Sequence, residues 1–325
     1  MPIIKSTYKA PFHLRNRHIS TILPSLFRKV DGVEYERERV FTPDNDFLDI
    51  DWIKNDHKRL VVLLHGLEGN SNRHYVQGAA KQFSENGWDV AAWNARSCSG
   101  EMNLQPRMYH HADIEDINFS IEHIEQTNNY NELVLVGFSM GGALVLNYLI
   151  AKEDSLPSTI KAAVAISAPV DVGASARELE RKTRSFYKNK FLKKLKVKIK
   201  LKAVSFPQKI NSDGIDKITS FDEFDNRFTA PLHGFENAEA FYNKASAKSK
   251  LGKINIPTLL LIAKDDPFMP DSCYPYKEAK QSKNVFLEVP SKGGHVGFPY
   301  KSFRHSWMEI RALAFISNFI QKTSE

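Results

Sequence analysis

The sequence predicts an α/β fold built on a mainly parallel sheet, on three observations. Continuous apolar runs such as "RLVVLLHG" (59–66) and "GWDVAAWNA" (87–95) read as strands buried on both faces. Helical segments separate them, one carrying Ile114, Ile117, Ile121 and Ile124 on a single stripe. At 325 residues the chain is long enough for one large domain in which strands and helices alternate.

The elements follow in order. "VEYERERVFTPDNDFLDIDWI" reads as two strands around a turn at Pro43 to Asp46, adding antiparallel strands at one edge of the sheet. In the second strand Leu48, Ile50 and Trp52 alternate with Asp49 and Asp51, the period-two pattern of a half-buried strand. After 59–66 a helix is expected over 72–86. "NELVLVGFSMGGALVLNYLIAK" supplies strand, tight turn and helix. "IKAAVAISAPV" (160–170), "IPTLLLIAKDD" (256–266) and "NVFLEVP" (284–290) are further strands, and an amphipathic helix over about 303–322 closes the chain. Roughly ninety residues separate the strand near 166 from the strand near 259, far more than a connecting loop needs. The expected organisation is a core of residues 1–170 and 251–325 with an inserted, mostly helical cap over 171–250, which holds Phe221, Phe224, Phe228 and Phe235.

Composition narrows the setting. Apolar residues make up 42% and charged residues 26%, as in a globular chain with a sizeable core. The N-terminus lacks the apolar stretch of a secretory signal. The two cysteines, Cys98 and Cys273, sit in no metal-ligand spacing, so buried structural thiols in a reducing cytoplasm are expected. The net charge of +7 is local: residues 181–202 contain eleven Lys or Arg and no acid, and the remainder has 34 basic against 38 acidic residues. Within that segment Phe186, Phe191, Leu192 and Leu195 form an apolar stripe among lysines, while Val197, Ile199 and Leu201 alternate. A solvated lid helix is the expected state. Contact with an anionic membrane is the alternative, which would place the protein at the membrane's inner face. No nucleic-acid recognition motif accompanies the lysines, so a nucleic-acid partner is not expected.

Residues 133–151 are long and apolar enough to match a bilayer, yet Gly137, Gly141 and Gly142 cluster within them and the first part reads as a strand. "GFSMG" places Ser139 between Gly137 and Gly141. In a sharp strand-to-helix turn the residues two before and two after the serine face each other, so both must lack a side chain. Such a turn lifts a hydroxyl clear of the sheet and aims the Met140 N–H at an oxyanion forming beside it. A serine needs a base, and the base an orienting acid. Both should lie at carboxyl ends of later strands. Asp265 and Asp266 end one strand, and Gly293, Gly294 and His295 follow another. Asp266 stands four residues before Pro270, the acid-loop spacing of this kind of fold, and its neighbour is expected to bind the loop backbone. The order Ser139, Asp266, His295 is that of an α/β-hydrolase. Leu67, after the "VVLLHG" strand, is the candidate for the second oxyanion N–H. His110, His111 and Asp113 suggest a metal site only weakly, and a solvated helix start is the expected reading. Arg73 and Arg96 lie at strand ends, where they either touch substrate or tie loops together.

The segments "RNRHISTILP", "LLHGLEGNSNRHYVQG", "NARSCSGEMN", "GFSMGG", "DDPFMP" and "GGHVGF" together resemble the YheT-like branch of the α/β-hydrolases, which includes eukaryotic ABHD proteins, over about residues 11–320. The resemblance implies a Ser139–His295–Asp266 triad. It also implies esterase or lipase chemistry on short- to medium-chain esters or acylglycerols, without metal or organic cofactor. Thioester cleavage and acyl transfer would use the same machinery. Where that branch reads "NFRGCSG" this chain has "NARSCSG", so Ala95 to Gly100 is expected to differ in shape, and the cap is the least matched part.

Overall fold

The computed structural model describes residues 2–300 and 305–320. Nine strands form one sheet: β1 (Ile3–Ile4), β2 (Glu36–Thr42), β3 (Asp46–Ile53), β4 (Arg59–Leu64), β5 (Asp89–Asn94), β6 (Glu132–Phe138), β7 (Ile160–Ile166), β8 (Thr258–Leu261) and β9 (Val285–Glu288). Their spatial order is β1-β9-β8-β7-β6-β4-β5-β3-β2. Every pairing from β5 to β1 is parallel, and β2 and β3 add antiparallel strands at the other edge. The parallel strands therefore deliver all their carboxyl ends to one rim of the sheet.

Helices cover both faces: α1 (Arg17–Phe27), α2 (His74–Ser84), α3 (Ile114–Thr127) and α4 (Met140–Ala151), then α5 (Val172–Leu179) and α6 (Ser185–Ser205). Val76, Ala80 and Phe83 of α2 pack with Met308, Ala312 and Phe315 of the closing helix Trp307–Ile316 on one face. The ends of the closing helix expected at 303–304 and 321–322 lie outside the described residues. On the opposite face the isoleucine stripe of α3 and the apolar length of α4 are buried. The segment 133–151 is thus β6, turn and α4, and among the described residues no helix is long and apolar enough to cross a membrane. Each fully buried Leu, Ile or Val contributes roughly 1.5–3 kcal/mol, so the strand cores are the main source of stability.

Three expectations change. β3 is buried on both faces rather than half-buried, with Asp49 and Asp51 at 1% and 2% exposure. Arg39 and Arg37 of β2 reach across as two-pronged donors to Asp49 and Asp51 at 2.7–3.0 Å, so the carboxylates are paired as they leave water. The N-terminal segment, to which the sequence assigned no element, is structured. β1 pairs with β9, and α1 starts at Asn16, whose side chain accepts the His18 and Ile19 N–H groups. From Ser185 onward the basic stretch is one helix, α6, including Val197, Ile199 and Leu201. Its Leu192, Leu195 and Ile199 are buried against the body, so the anticipated stripe faces inward apart from Phe186 at 62% exposure.

Many cations of α6 anchor it. Lys188 binds Glu180, Lys198 binds Glu68, Lys200 binds Asp216, and Lys202, 1% exposed, donates to the Asn103 and Gln105 carbonyls. The helical segment between β7 and β8 continues through Ala238–Ala245 and Lys248–Lys253, and Phe221, Phe224 and Phe228 are buried within it.

Arg96 ties loops together. At 2% exposure it binds Asp116 through two nitrogens at 2.7 and 2.8 Å and Asp46 at 2.7 Å, with Asp44 at 2.9 Å. Removing one partner of such a network strands buried charges. Arg96→Met is expected to lower unfolding free energy by about 3–5 kcal/mol, read as a fall in the urea midpoint. A change below about 1 kcal/mol would show that the network carries little.

Candidate active site

Ser139 sits between β6 and α4 with φ 54° and ψ −118°, a conformation that a non-glycine residue holds only under constraint. The constraint is close packing. A Cβ on Gly137 would strike the Gly141 carbonyl, and one on Gly141 would strike the Leu64 carbonyl at the end of β4. Only glycine at both positions lets the chain reverse so sharply and still begin α4 one residue later.

The loops after β8 and β9 meet this turn. His295 Nε2 lies 2.9 Å from Ser139 Oγ, and its Nδ1 lies 2.9 Å from Asp266 Oδ2. Asp266 is fully buried, and its Oδ1 accepts the Phe268 N–H at 2.9 Å. With the carboxylate beside Nδ1, that nitrogen carries the ring proton and Nε2 is free to accept from the serine. Asp265 turns the other way, and its Oδ1 accepts the Gly294 N–H at 3.1 Å.

Other groups fix the imidazole. Phe268 stacks on it with centroids 3.9 Å apart. Thr21 of α1 accepts the His295 N–H at 2.9 Å, Ser167 accepts the Val296 N–H at 3.1 Å, and Arg17 donates to the Asp265 carbonyl at 2.9 Å. Sequence reasoning missed these supports. The Asn16 cap and the Ile19, Ile22, Leu26 spacing would have indicated α1.

Met140 directly follows Ser139, and Leu67 lines both cavities that Ser139 borders. The Met140 N–H is the first of α4, and neither it nor the Leu67 N–H donates to a protein acceptor among the described residues. The 65–69 loop is set by His65, wholly buried. Its Nε2 accepts the Ala95 N–H at 3.0 Å, so Nδ1 bears the proton and donates to the Gly66 carbonyl at 2.7 Å. The altered "NARSCSG" stretch thus contributes a backbone donor at Ala95 and a buried cation at Arg96.

His110, His111 and Asp113 are not a solvated helix start. His110 packs edge-on against His233, Phe235 and Phe241, and Asp113 is held by Arg107. Among the described residues no three His, Cys, Asp or Glu side chains gather as a metal site requires. Both cysteines are buried and unpaired.

Two cavities open on either side of Ser139 and His295. One, about 90 Å³, is bounded by Leu179, Leu195, Phe221, Phe224, Phe241 and Met269. The other, about 150 Å³, lies between α1 and α6 and reaches Leu26, Arg73, Phe186, Lys190 and Lys194.

The α/β hydrolase fold model matches residues 59–302. "Putative esterase YheT" of Escherichia coli (strain K12) is 32% identical, over 95% of this chain and 92% of that protein. The chain belongs to the α/β-hydrolase fold family, in its YheT-like branch. "Phospholipase ABHD3" of Mus musculus is 31% identical over 91% of this chain and 74% of its own length, and "Monoacylglycerol lipase" of Saccharomyces cerevisiae (strain ATCC 204508 / S288c) is 27% identical over 81% and 59%. An esterase of Pyrococcus furiosus shares the fold with a TM-score of 0.59 at 17% identity, over 90% of this chain and 96% of that one. This chain is an enzyme of the esterase and lipase type.

Burial pushes the His65 imidazole down to about 4 and that of His111 likewise to about 4. Both stay neutral in the folded chain, whereas the unfolded chain takes up protons below about 6.5. Stability is therefore fully present above pH 6.5 and falls as the pH drops toward 4, because there the unfolded state binds more protons. The stability advantage of the native chain over His65→Gln is expected to shrink by about 3 kcal/mol between pH 7 and pH 4. Thermal melts of both proteins across that range check it, and parallel curves would refute it.

Proposed function

We propose that this enzyme is a serine carboxylesterase acting through an acyl-enzyme. The observation that carries the reading is the single hydrogen-bonded line from Ser139 through His295 to Asp266. Ser139 Oγ attacks the ester carbonyl carbon while His295 Nε2 takes its proton, and Asp266 orients and stabilises the imidazolium. The Met140 and Leu67 N–H groups hold the tetrahedral oxyanion. Collapse expels the alcohol, which leaves with the proton from Nε2. Water, deprotonated by the same nitrogen, then attacks the acyl-enzyme, releasing the acid and restoring Ser139.

The cavity lined by Leu179, Leu195 and Phe221 suits a short- to medium-chain acyl group, since its walls are mainly apolar and lie beside the serine. The helical segment over 171–250 serves as a cap, supplying most of those walls. The relatives named for ester and lipid hydrolysis support this choice of substrate.

Ser139→Ala is expected to lower kcat/KM on 4-nitrophenyl butyrate by roughly 10⁴–10⁶, and Asp266→Asn by about 10⁴ in kcat. Turnover by purified Ser139→Ala within tenfold of the native protein would overturn the reading.

A lipid-surface contact is favoured by one observation: Leu26 and Phe186, 61% and 62% exposed, both border the mouth of the larger cavity. The apolar contact would then come from α1 and the start of α6 rather than from the stripe along α6. Flotation with anionic vesicles at low salt is expected to carry the native chain upward and Leu26→Glu/Phe186→Glu less so. Absence of native binding would exclude the contact.

A further inference from the structure

We infer that the cavity between α1 and α6 is a binding site for an anionic group, phosphate or carboxylate, on the alcohol side of the ester. The inference rests on the serine-esterase reading above and assigns the two halves of the cleft. The half under Phe221 and Phe224 is lined mainly by apolar and aromatic side chains, which fits an acyl chain. The other half adjoins the same Ser139 and His295 but holds Arg73, Lys190 and Lys194.

These cations have no carboxylate partner among the described residues. Arg73 donates to the Glu68 carbonyl at 2.9 Å and Lys194 to the same carbonyl at 3.1 Å, while Lys190 is exposed. Among the described residues Glu68 is the one acid lining this cavity, and its carboxylate is already engaged, with Lys198 at 2.9 Å and the Tyr109 hydroxyl at 2.7 Å. The cavity therefore carries an excess of positive charge. Partial burial and the neighbouring Arg73 lower the Lys194 pKa, as expected where cations crowd without a counter-ion.

A second observation points the same way. His74 lines this cavity with a buried Nδ1 that has no hydrogen-bond partner. The imidazole stays neutral, pushed down to about 3 by burial and by Arg28 and Arg73. In its Nδ1–H tautomer it is a donor without an acceptor, which a phosphate or carboxylate oxygen would supply. An ester carrying such a group would place it against Arg73, Lys190, Lys194 and His74 with the acyl chain under the cap. The scissile carbonyl would then fall at Ser139, between the two halves.

The test compares 1-hexanoylglycerol 3-phosphate with 1-hexanoylglycerol, both soluble, on the full chain. The phosphate ester is expected to have the higher kcat/KM by at least about tenfold, mainly through KM, with the advantage shrinking as salt rises. In Arg73→Gln/Lys190→Gln/Lys194→Gln, shown folded by its melting curve, the ratio between the two substrates is expected to fall severalfold. An oleoyl phosphate ester in phosphatidylcholine vesicles is the second arm. A larger preference there assigns a lipid headgroup, and a larger one in solution assigns a small soluble ester. Equal or lower kcat/KM on the phosphate ester, or a ratio that the triple variant leaves unchanged, overturns the inference. If neither ester turns over, and 4-nitrophenyl butyrate does not either, it is the underlying esterase reading that fails.

Discussion

Everything at the rim depends on one backbone turn. Ser139 occupies a positive-φ conformation because β6 must reverse into α4 with no room for a side chain at Gly137 or Gly141. That crowding fixes the hydroxyl's height above the sheet. It also places the Met140 N–H at the start of α4, and brings the Leu64 carbonyl end of β4 close enough for the 65–69 loop to face the serine. The strain of the turn, of order 1–3 kcal/mol, is small beside the buried strands that impose it.

The second requirement is an imidazole held in one tautomer. Asp266 reaches Nδ1 from the loop after β8, and Phe268 from the same loop covers the ring face. Thr21 fixes the backbone of residue 295 from α1, so the N-terminal segment belongs to the site although it is distant in sequence. His65 performs the parallel task for the 65–69 loop, using both ring nitrogens on backbone groups. Burial keeps the His65 imidazole neutral, which ties the shape of that loop to the pH range in which the neutral ring holds.

Much of the sheet was legible because parallel strands buried on both faces leave unbroken apolar runs, and because β6, the turn and α4 follow each other without a gap. The chain order of Ser139, Asp266 and His295 and the Gly-x-Ser-x-Gly context pointed to the residues that the fold brings together. What stayed hidden was tertiary. The alternation in β3 is the same whether Asp49 and Asp51 face water or the arginines of β2, and only the pairing of β2 with β3 decides. The lysines of α6 look like a free basic face in sequence, yet Lys198 and Lys202 reach inward to partners about a hundred residues away. His110 and His111 read as polar until the aromatic rings of the segment after β7 close over them.

The central claim is that folding alone makes one serine reactive. The most direct measurement is peptide mapping by mass spectrometry after brief exposure to a fluorophosphonate, on the native chain and on the same chain unfolded in urea. The account predicts one adduct, on the peptide carrying Ser139, formed in the native chain and absent from the unfolded one. A native chain with Ser139 unmodified, or equal labelling of Ser139 in both states, would contradict it.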